Sequence, residues 1–108
     1  MADAPILVLT NAPDAAVAAG IARSLVEKRL AACVNIGTPT ESIYHWRGRI
    51  ETANEIPLAI KTRTELYRNV EAAIREIHPY DTPEIIAIPV VDGDAGYLEW
   101  IAAETANR

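Results

Sequence analysis

A chain of 108 residues, half of them hydrophobic, is long enough to build its own core, so we expect one domain over residues 1–108. Its 15 acidic and 10 basic side chains give a net charge of −5, and the basic residues are scattered, which argues against nucleic-acid binding. No apolar run approaches the roughly 18 residues of a membrane-spanning helix, so no membrane partner is expected. The single cysteine cannot form an internal disulfide, which favours the cytoplasm.

The first half of the chain is predicted to form a strand, a helix and a second strand. The start, MADAPILVLT, has no basic residue before its apolar stretch, so Pro5–Thr10 is expected to be a buried strand and not a secretion signal. An apolar stripe of helical spacing follows Asp14 and extends to about Leu30. Ala32–Ile36 has the composition of the next strand, which Gly37 interrupts.

The segment SIYHWRGRIE, residues 42–51, is typical of the tip of a β-hairpin that turns at Arg47-Gly48. We expect its two strands to cover Thr40–Trp46 and Arg49 to about Thr62. Pairing Trp46 with Arg49 across the turn sets the register. One face of the hairpin strands then combines aromatic, polar and charged side chains, namely Ser42, Tyr44, Trp46, Glu51, Glu55 and Lys61.

The second half of the chain is predicted to add a helix, a strand and a last helix. Thr62 and Glu65 have capping-box spacing for the second helix, which should end at His78 because the next residue is proline. Glu84–Val91 is apolar on both faces and is predicted to be a fourth strand. The last helix is expected at about Ala95–Thr105.

This order of elements predicts the α+β class. The expected fold is a ferredoxin-like βαββαβ antiparallel sheet with two helices on one face, a long hairpin between its second and third strands, and an extra C-terminal helix. The other face and the edges of the sheet then lack cover from the two packed helices.

The hairpin is too long for the rest of the chain to cover. Arg49–Thr62 would span about 46 Å as a strand, whereas the second helix would span only about 20 Å. A two-stranded ribbon is marginally stable alone, so neighbouring copies of the chain are the expected partners. The alternative is a bent hairpin that folds over its own sheet.

Two residues could ligate a metal. Cys33 is either a small buried hydrophobe or a ligand for a soft metal, in a site where histidine would be the second ligand. His78 either caps the second helix or lines a pocket in the rigid turn HPYDTPE. His45 is expected to be solvated near the tip of the hairpin.

The remaining residues of interest have structural explanations too. Lys61 and Glu55 could form an ion pair, and Trp46 and Trp100 are better explained as packing residues than as ligand platforms. The chain contains no metal-binding or catalytic sequence motif and no clear pair of nucleophile and base, so we do not expect an enzyme.

Five segments together resemble one family. In chain order they are AACVNI (31–36), SIYHWRGRIE (42–51), EIPLAIKT (55–62), HPYDTPEI (78–85) and YLEWI (97–101). Their order and spacing resemble those of the CutA family of divalent-cation tolerance proteins, essentially from end to end.

The resemblance implies a tight homotrimer with an architecture similar to that of PII signalling proteins, located in the cytoplasm. It also implies a role in tolerance to copper and other divalent cations, with no enzymatic activity. A copper or other divalent ion is the possible ligand, and none should be required for folding.

The resemblance also implies site residues. Cys33 matches the family cysteine and His78 the family histidine. Where some relatives carry a second histidine, this chain has Ile77. A cleft between subunits should be lined or approached by Trp46, Glu55, Lys61, Tyr80, Glu84, Tyr97 and Trp100.

Two functions are therefore the main candidates. The first is a trimeric, metal-responsive binding or signalling module that is not an enzyme. The alternative is a PII-like sensor that binds a small molecule in the cleft between subunits, which rests on analogy of fold. A small hydrolase and a purely structural trimer are further alternatives.

Overall fold

The elements occur in the predicted order in the computed structural model, which describes residues 3–106. The strands are β1 (Pro5–Ala12), β2 (Cys33–Ile36), β3 (Thr40–Trp46), β4 (Arg49–Arg63) and β5 (Ile85–Pro89). The helices are α1 (Ala15–Glu27), α2 (Tyr67–Ile77) and α3 (Ala95–Glu104), with a short 3-10 turn at Thr64–Leu66. The predicted α+β, ferredoxin-like class is confirmed.

All strand pairs are antiparallel, and β4 is the strand that organises the sheet. The order is β2-β4-β1-β5, and β3 pairs only with the N-terminal part of β4. The C-terminal part of β4 lies between β1 and β2, so that Lys61 is opposite both Leu7 and Cys33. Pairing between β1 and β4 ends where Ala12 meets Ile56, and beyond this point β4 has only β3 beside it.

The core lies between the sheet and the first two helices. Alternating residues of β1 and β4 point to this side because side chains of a strand alternate between faces. The apolar stripes of α1 and α2 cover them, as their helical spacing predicts. The buried apolar residues of this core are Ile6, Val8, Ala12, Ala18, Ile21, Leu25, Ala31, Leu58, Ile60, Val70, Ala73 and Ile74.

Helix α1 ends earlier than predicted, at Glu27 and not near Leu30. Arg29 has a left-handed backbone (φ 58°), and the N–H of Leu30 donates to the carbonyl of Leu25 at 2.9 Å. This is the hydrogen-bond pattern of a Schellman cap, usually made with glycine. Because this position holds an arginine and not a glycine, the sequence does not indicate that the helix ends here.

The predicted capping box of the second helix is wrong. Thr62 is a buried residue of β4, one before its end, and its hydroxyl donates to the carbonyl of Leu30 at 2.7 Å, so it is not free to cap a helix. The chain instead makes the 3-10 turn, in which the N–H of Glu65 donates to Asp3 at 3.1 Å. Helix α2 begins at Tyr67 and ends before His78, as the following proline requires.

Between β2 and β3 the chain gains one residue relative to β4. Ile36 is opposite Leu58, but Thr40 is opposite Glu55, so four steps on one strand match three on the other. A shift of one residue exchanges the two faces of a strand. It brings the side chains of Cys33 in β2 and of Ser42, Tyr44 and Trp46 in β3 to the same face.

Gly37 makes this shift possible. Its N–H donates to the carbonyl of Pro57 at 2.9 Å, and a Cβ at this position would lie only 2.9 Å from Pro57 Cγ. Only glycine allows so close an approach of the two strands.

The hairpin turn is confirmed at Arg47-Gly48, where both residues have positive φ (52° and 80°), as in a type I′ turn. The hairpin extends away from the sheet and gives the molecule extents of 44 × 26 × 23 Å. Ile43 and Ile50 near its tip are 67% and 71% exposed, so the hairpin does not fold over its own sheet.

The last strand is shorter than predicted: β5 covers Ile85–Pro89 and not Glu84–Val91. Asp94 caps α3 by accepting from the N–H of Tyr97 at 2.9 Å. Arg63 links the end of α3 to β4 through the hydroxyl and carbonyl of Thr105.

Among residues 3–106, no helix has both the length and the apolar character needed to cross a membrane.

Two glycine substitutions should have opposite effects on the free energy of unfolding. Gly37→Ala should lower it by about 1–3 kcal/mol, since the new methyl group would overlap Pro57. The matched control is Gly20→Ala in α1, where the new Cβ would meet only Ile77 at 3.9 Å and helix propensity would add up to about 1 kcal/mol. Chemical denaturation at one fixed chain concentration measures both. Equal stability of the two variants would contradict the close approach at Gly37.

Candidate functional site

A groove of about 650 Å³ lies where the hairpin leaves the sheet. Three parts of the chain form it: the hairpin, along β3 as far as Trp46 and at Glu55 of β4, the end of β1, and the loop HPYDTPE between α2 and β5. We call it the acidic groove, and its lining residues are Asn11, Ser42, Ile43, Tyr44, Trp46, Glu55, Tyr80, Asp81, Thr82 and Glu84.

Glu55 is the most buried charged residue of the groove, with 9% of its surface exposed. It directly precedes Ile56, the first residue of β4 that pairs with β1, and lies on the face opposite the core. Ser42 donates to its Oε1 at 2.6 Å. None of the ion pairs within residues 3–106 includes Glu55. The fold therefore places a carboxylate in a desolvated position with neutral donors beside it and no basic partner.

Tyr80 faces this carboxylate from the loop. Burial raises the pKa of the Tyr80 hydroxyl above its ordinary value of 10.0, and the charge of Glu55 and its hydrogen bond raise it further. Tyr44 and Asp14 add smaller effects in the same direction. Each of these influences favours the neutral hydroxyl, and the charge of Glu55 makes the electrostatic potential beside Tyr80 negative.

The loop is held in place by contacts with β1. The side-chain amide of Asn11 donates to Glu84 Oε1 at 3.0 Å. His78 is buried; its Nε2 lies 2.6 Å from the carbonyl of Asn11, and its Nδ1 lies 3.3 Å from the N–H of Tyr80. These partners require a proton on Nε2 and a lone pair on Nδ1, so both ring nitrogens are engaged. His78 therefore positions Tyr80, whose ring centre lies 4.7 Å from its own.

A second cluster surrounds Cys33, which is half-buried. Cys33 is opposite Lys61 in the sheet, and the Lys61 ammonium donates to the side-chain oxygen of Asn35. Burial raises the pKa of Tyr97 on α3, and the neighbouring Cys33 raises it further by its charge and hydrogen bond. The ring of Tyr97 packs at 5.6 Å from that of Trp100.

The predicted cleft residues therefore fall into two groups within one chain. Trp46, Glu55, Tyr80 and Glu84 line the acidic groove, whereas Lys61, Tyr97 and Trp100 belong to the Cys33 cluster. Lys61 and Glu55 are six residues apart on β4, about 20 Å at strand rise, so they cannot form an ion pair within the chain.

The two predicted metal ligands also lie apart. Cys33 and Leu7 of β1 are both opposite Lys61, so they lie at the same level of the sheet. His78 contacts Asn11, which is four residues and about 13 Å further along β1. The described residues contain no group of three or more Cys, His, Asp or Glu side chains arranged to hold a metal ion. Metal binding at Cys33 or His78 stays a prediction.

Sequence reasoning did not assign Asn11, Ser42, Tyr44 or Thr82 to a site. For two of them the signal was present, because the hairpin register already places Ser42 and Tyr44 on the face of Glu55. For the others it was absent, since the approach of the loop to β1 is a tertiary contact.

The model of the CutA1 divalent ion tolerance protein family matches residues 6–104 of this chain. The chain belongs to the CutA1 family. The resemblance of the five sequence segments is thereby confirmed. The family is defined by divalent-cation tolerance.

Curated CutA relatives include bacterial and animal proteins. The divalent-cation tolerance protein CutA of Thermus thermophilus is 41% identical over 99 residues, which cover 92% of this chain and 96% of the relative. A CutA homolog from Danio rerio is 49% identical over 96 residues, which cover 89% of this chain. The match spans only 64% of the length of the Danio rerio protein.

Solved CutA structures have the same fold. The divalent cation tolerance protein from Thermus thermophilus superposes with a TM-score of 0.93 at 40% identity, covering 94% of this chain and 99% of that one. CutA from Xylella fastidiosa superposes with a TM-score of 0.92 at 40% identity, covering 94% of this chain and 98% of that one. The periplasmic divalent cation tolerance protein CutA from Archaeoglobus fulgidus superposes with a TM-score of 0.92 at 39% identity, covering 94% of this chain and 99% of that one.

The pairing of Tyr80 with Glu55 can be tested by titration. In Glu55→Gln the pKa of Tyr80 should fall towards 10.0, because the tyrosinate would no longer face a carboxylate, although burial would still keep the pKa raised. NMR of protein labelled with ¹³C at the tyrosine ζ carbon resolves each tyrosine along a pH series. Glu84→Gln is the matched control and should leave the pKa of Tyr80 nearly unchanged. An unchanged Tyr80 pKa in Glu55→Gln would refute the pairing.

Proposed function

We propose that this CutA1 protein is a non-enzymatic, metal-responsive module of divalent-cation tolerance that acts as a homotrimer in the cytoplasm. Copper is the proposed ion. The observation that carries the proposal is the apolar surface that one copy leaves open on its hairpin, at Ile43 and Ile50. Family membership supplies the link to divalent cations.

The exposed surfaces support assembly. Besides the hairpin, the sheet face away from the core exposes Ile86 and Ile88 of β5, and Val91 just beyond that strand is almost fully exposed. In the sheet, β5 is an edge strand, and β3 has a neighbour on one side only. Apolar faces and edges of this kind are usually covered by another chain. The number of three copies comes from the resemblance to the family.

The chemistry of Cys33 supports copper. A thiolate is a soft ligand that prefers copper(I) or zinc. Cys33 is the stronger of the two predicted ligands, since both ring nitrogens of His78 have partners in the chain. One thiol per chain is an incomplete site, so a trimer would have to pool three copies of Cys33, or Cys33 with ligands from neighbouring chains.

The cytoplasmic location rests on the single cysteine, which needs no oxidising compartment. The relative from Archaeoglobus fulgidus is named a periplasmic protein, so the periplasm is the alternative location to test. Fractionation of the native host, with an antibody against this chain, separates the two compartments.

Binding of a small molecule, as in PII-like sensors, is the second candidate function. The acidic groove favours it, because its volume of about 650 Å³ is in the usual range for small-molecule sites and it contains a nearly buried carboxylate. A ligand bound there would join the hairpin to the loop after α2.

Copper binding should depend on Cys33 and not on exposed imidazole. Titration of copper(I) against a colorimetric chelator is expected to give an affinity that falls about tenfold or more in Cys33→Ser. His45→Gln is the matched control, since His45 is exposed on the hairpin and should leave the affinity unchanged. If copper pools at a threefold axis, saturation comes at one ion per three chains. Equal, weak binding by the wild type and Cys33→Ser would remove Cys33 from the proposal.

A further inference from the structure

We propose that the acidic groove binds small organic cations, namely protonated amines, with Glu55 as the counter-charge and the rings of Tyr44, Trp46 and Tyr80 as walls. This inference rests on the second candidate function and names the chemical class of its ligand.

The charges of the groove select for a cation. Three of its lining residues are carboxylates, Glu55, Asp81 and Glu84, and none is a lysine or arginine. The three carboxylates take part in none of the ion pairs formed within residues 3–106. Arg75 approaches the loop, but it donates at 3.3 Å to the backbone carbonyl of Asp81 and forms no ion pair with that carboxylate within residues 3–106.

Glu55 separates this groove from an ordinary group of surface acids. It is nine-tenths buried, and its hydrogen-bond partners are neutral: Ser42 donates to Oε1 at 2.6 Å, and the Tyr80 hydroxyl is its other neighbour. A buried carboxylate without a positive partner is costly, so a cation that reaches it regains the lost solvation. The neighbouring hydroxyl of Tyr80 is kept neutral first by burial and then by the charge of Glu55, both of which raise its pKa.

The walls of the groove suit an organic cation. Tyr44, Trp46 and Tyr80 are 43%, 43% and 40% exposed, so each ring has open surface. The faces of aromatic rings attract ammonium and guanidinium groups. One such contact already exists in the chain, because the guanidinium of Arg47 lies 5.4 Å from the centre of the Trp46 ring.

The size of the groove argues against a bare metal ion. A volume of about 650 Å³ is large enough for a metabolite, whereas Ca²⁺ and Mg²⁺ need oxygen ligands at about 2.0–2.6 Å on several sides. No such set of carboxylate, histidine or cysteine ligands is assembled among the described residues. The occupant is therefore a molecule with an apolar body and a positive end.

Isothermal titration calorimetry on the full-length, assembled protein tests this inference. The probes are 1,4-diaminobutane and tetramethylammonium as organic cations, citrate and AMP as organic anions, and magnesium chloride as a bare divalent ion. Buffers are free of amines and constant in ionic strength, because surface charge alone is screened by salt. We expect one organic cation per chain, and no binding of the anions or of magnesium at the same concentrations.

Three variants locate the site. Glu55→Gln should weaken the binding of 1,4-diaminobutane about tenfold or more, since the counter-charge is lost. Tyr80→Ala should weaken it too, which keeps the test available if Glu55→Gln does not fold. The matched control is Glu41→Gln, which removes a charge next to Ser42 on the opposite face of β3 and should leave binding unchanged. The ¹³C-tyrosine signal of Tyr80 should shift as the amine is added.

The outcomes separate this inference from the functions on which it rests. Organic-anion binding that depends on Tyr80, without amine binding, would overturn the cationic ligand but keep a small-molecule sensor. Absence of binding by every probe would overturn both. Equal weakening by Glu55→Gln and Glu41→Gln would reduce the effect to surface charge and overturn the inference. Copper binding and trimer assembly are measured independently and survive each of these results.

Discussion

A single strand, β4, has to serve two structures at once. The part of it from Ile56 to Arg63 is the centre of the sheet, where it pairs with β1 and β2 and supplies Leu58 and Ile60 to the core. Its first seven residues pair only with β3 and have no helix above them. The chain is too short to cover both parts, since its helices span only about 15–20 Å each.

Both candidate sites follow from this division. The acidic groove lies where β4 leaves β1, because the loop after α2 meets the base of the hairpin at that point and encloses Glu55. The Cys33 cluster lies further along β4, on the same face, where α3 approaches from above. In one chain the two are about 20 Å apart. A neighbouring copy in the proposed trimer could bring a groove of one chain next to a Cys33 cluster of another, which would reunite the predicted cleft residues.

Much of the fold could be predicted because local signals and the tertiary fold agree. Arg47-Gly48 fixed the hairpin turn, the stripes of α1 and α2 fixed their buried faces, and the proline after His78 fixed the end of α2. Prediction failed where a tertiary contact replaced a local preference. Thr62 is used in the sheet, and Arg29 adopts a conformation that usually calls for glycine. The site was predicted in part: Trp46, Glu55, Tyr80 and Glu84 were named, but the approach of Asn11 and of the loop depends on packing that spacing along the chain does not reveal.

Sedimentation velocity of the full-length protein at micromolar concentration tests most directly whether the hairpin needs neighbouring copies. The account predicts one species with three times the mass of the chain. It also predicts that Ile43→Asp combined with Ile50→Asp dissociates that species, because charges would replace the exposed apolar surface of the hairpin. A wild-type protein that sediments as a stably folded single copy would contradict the account.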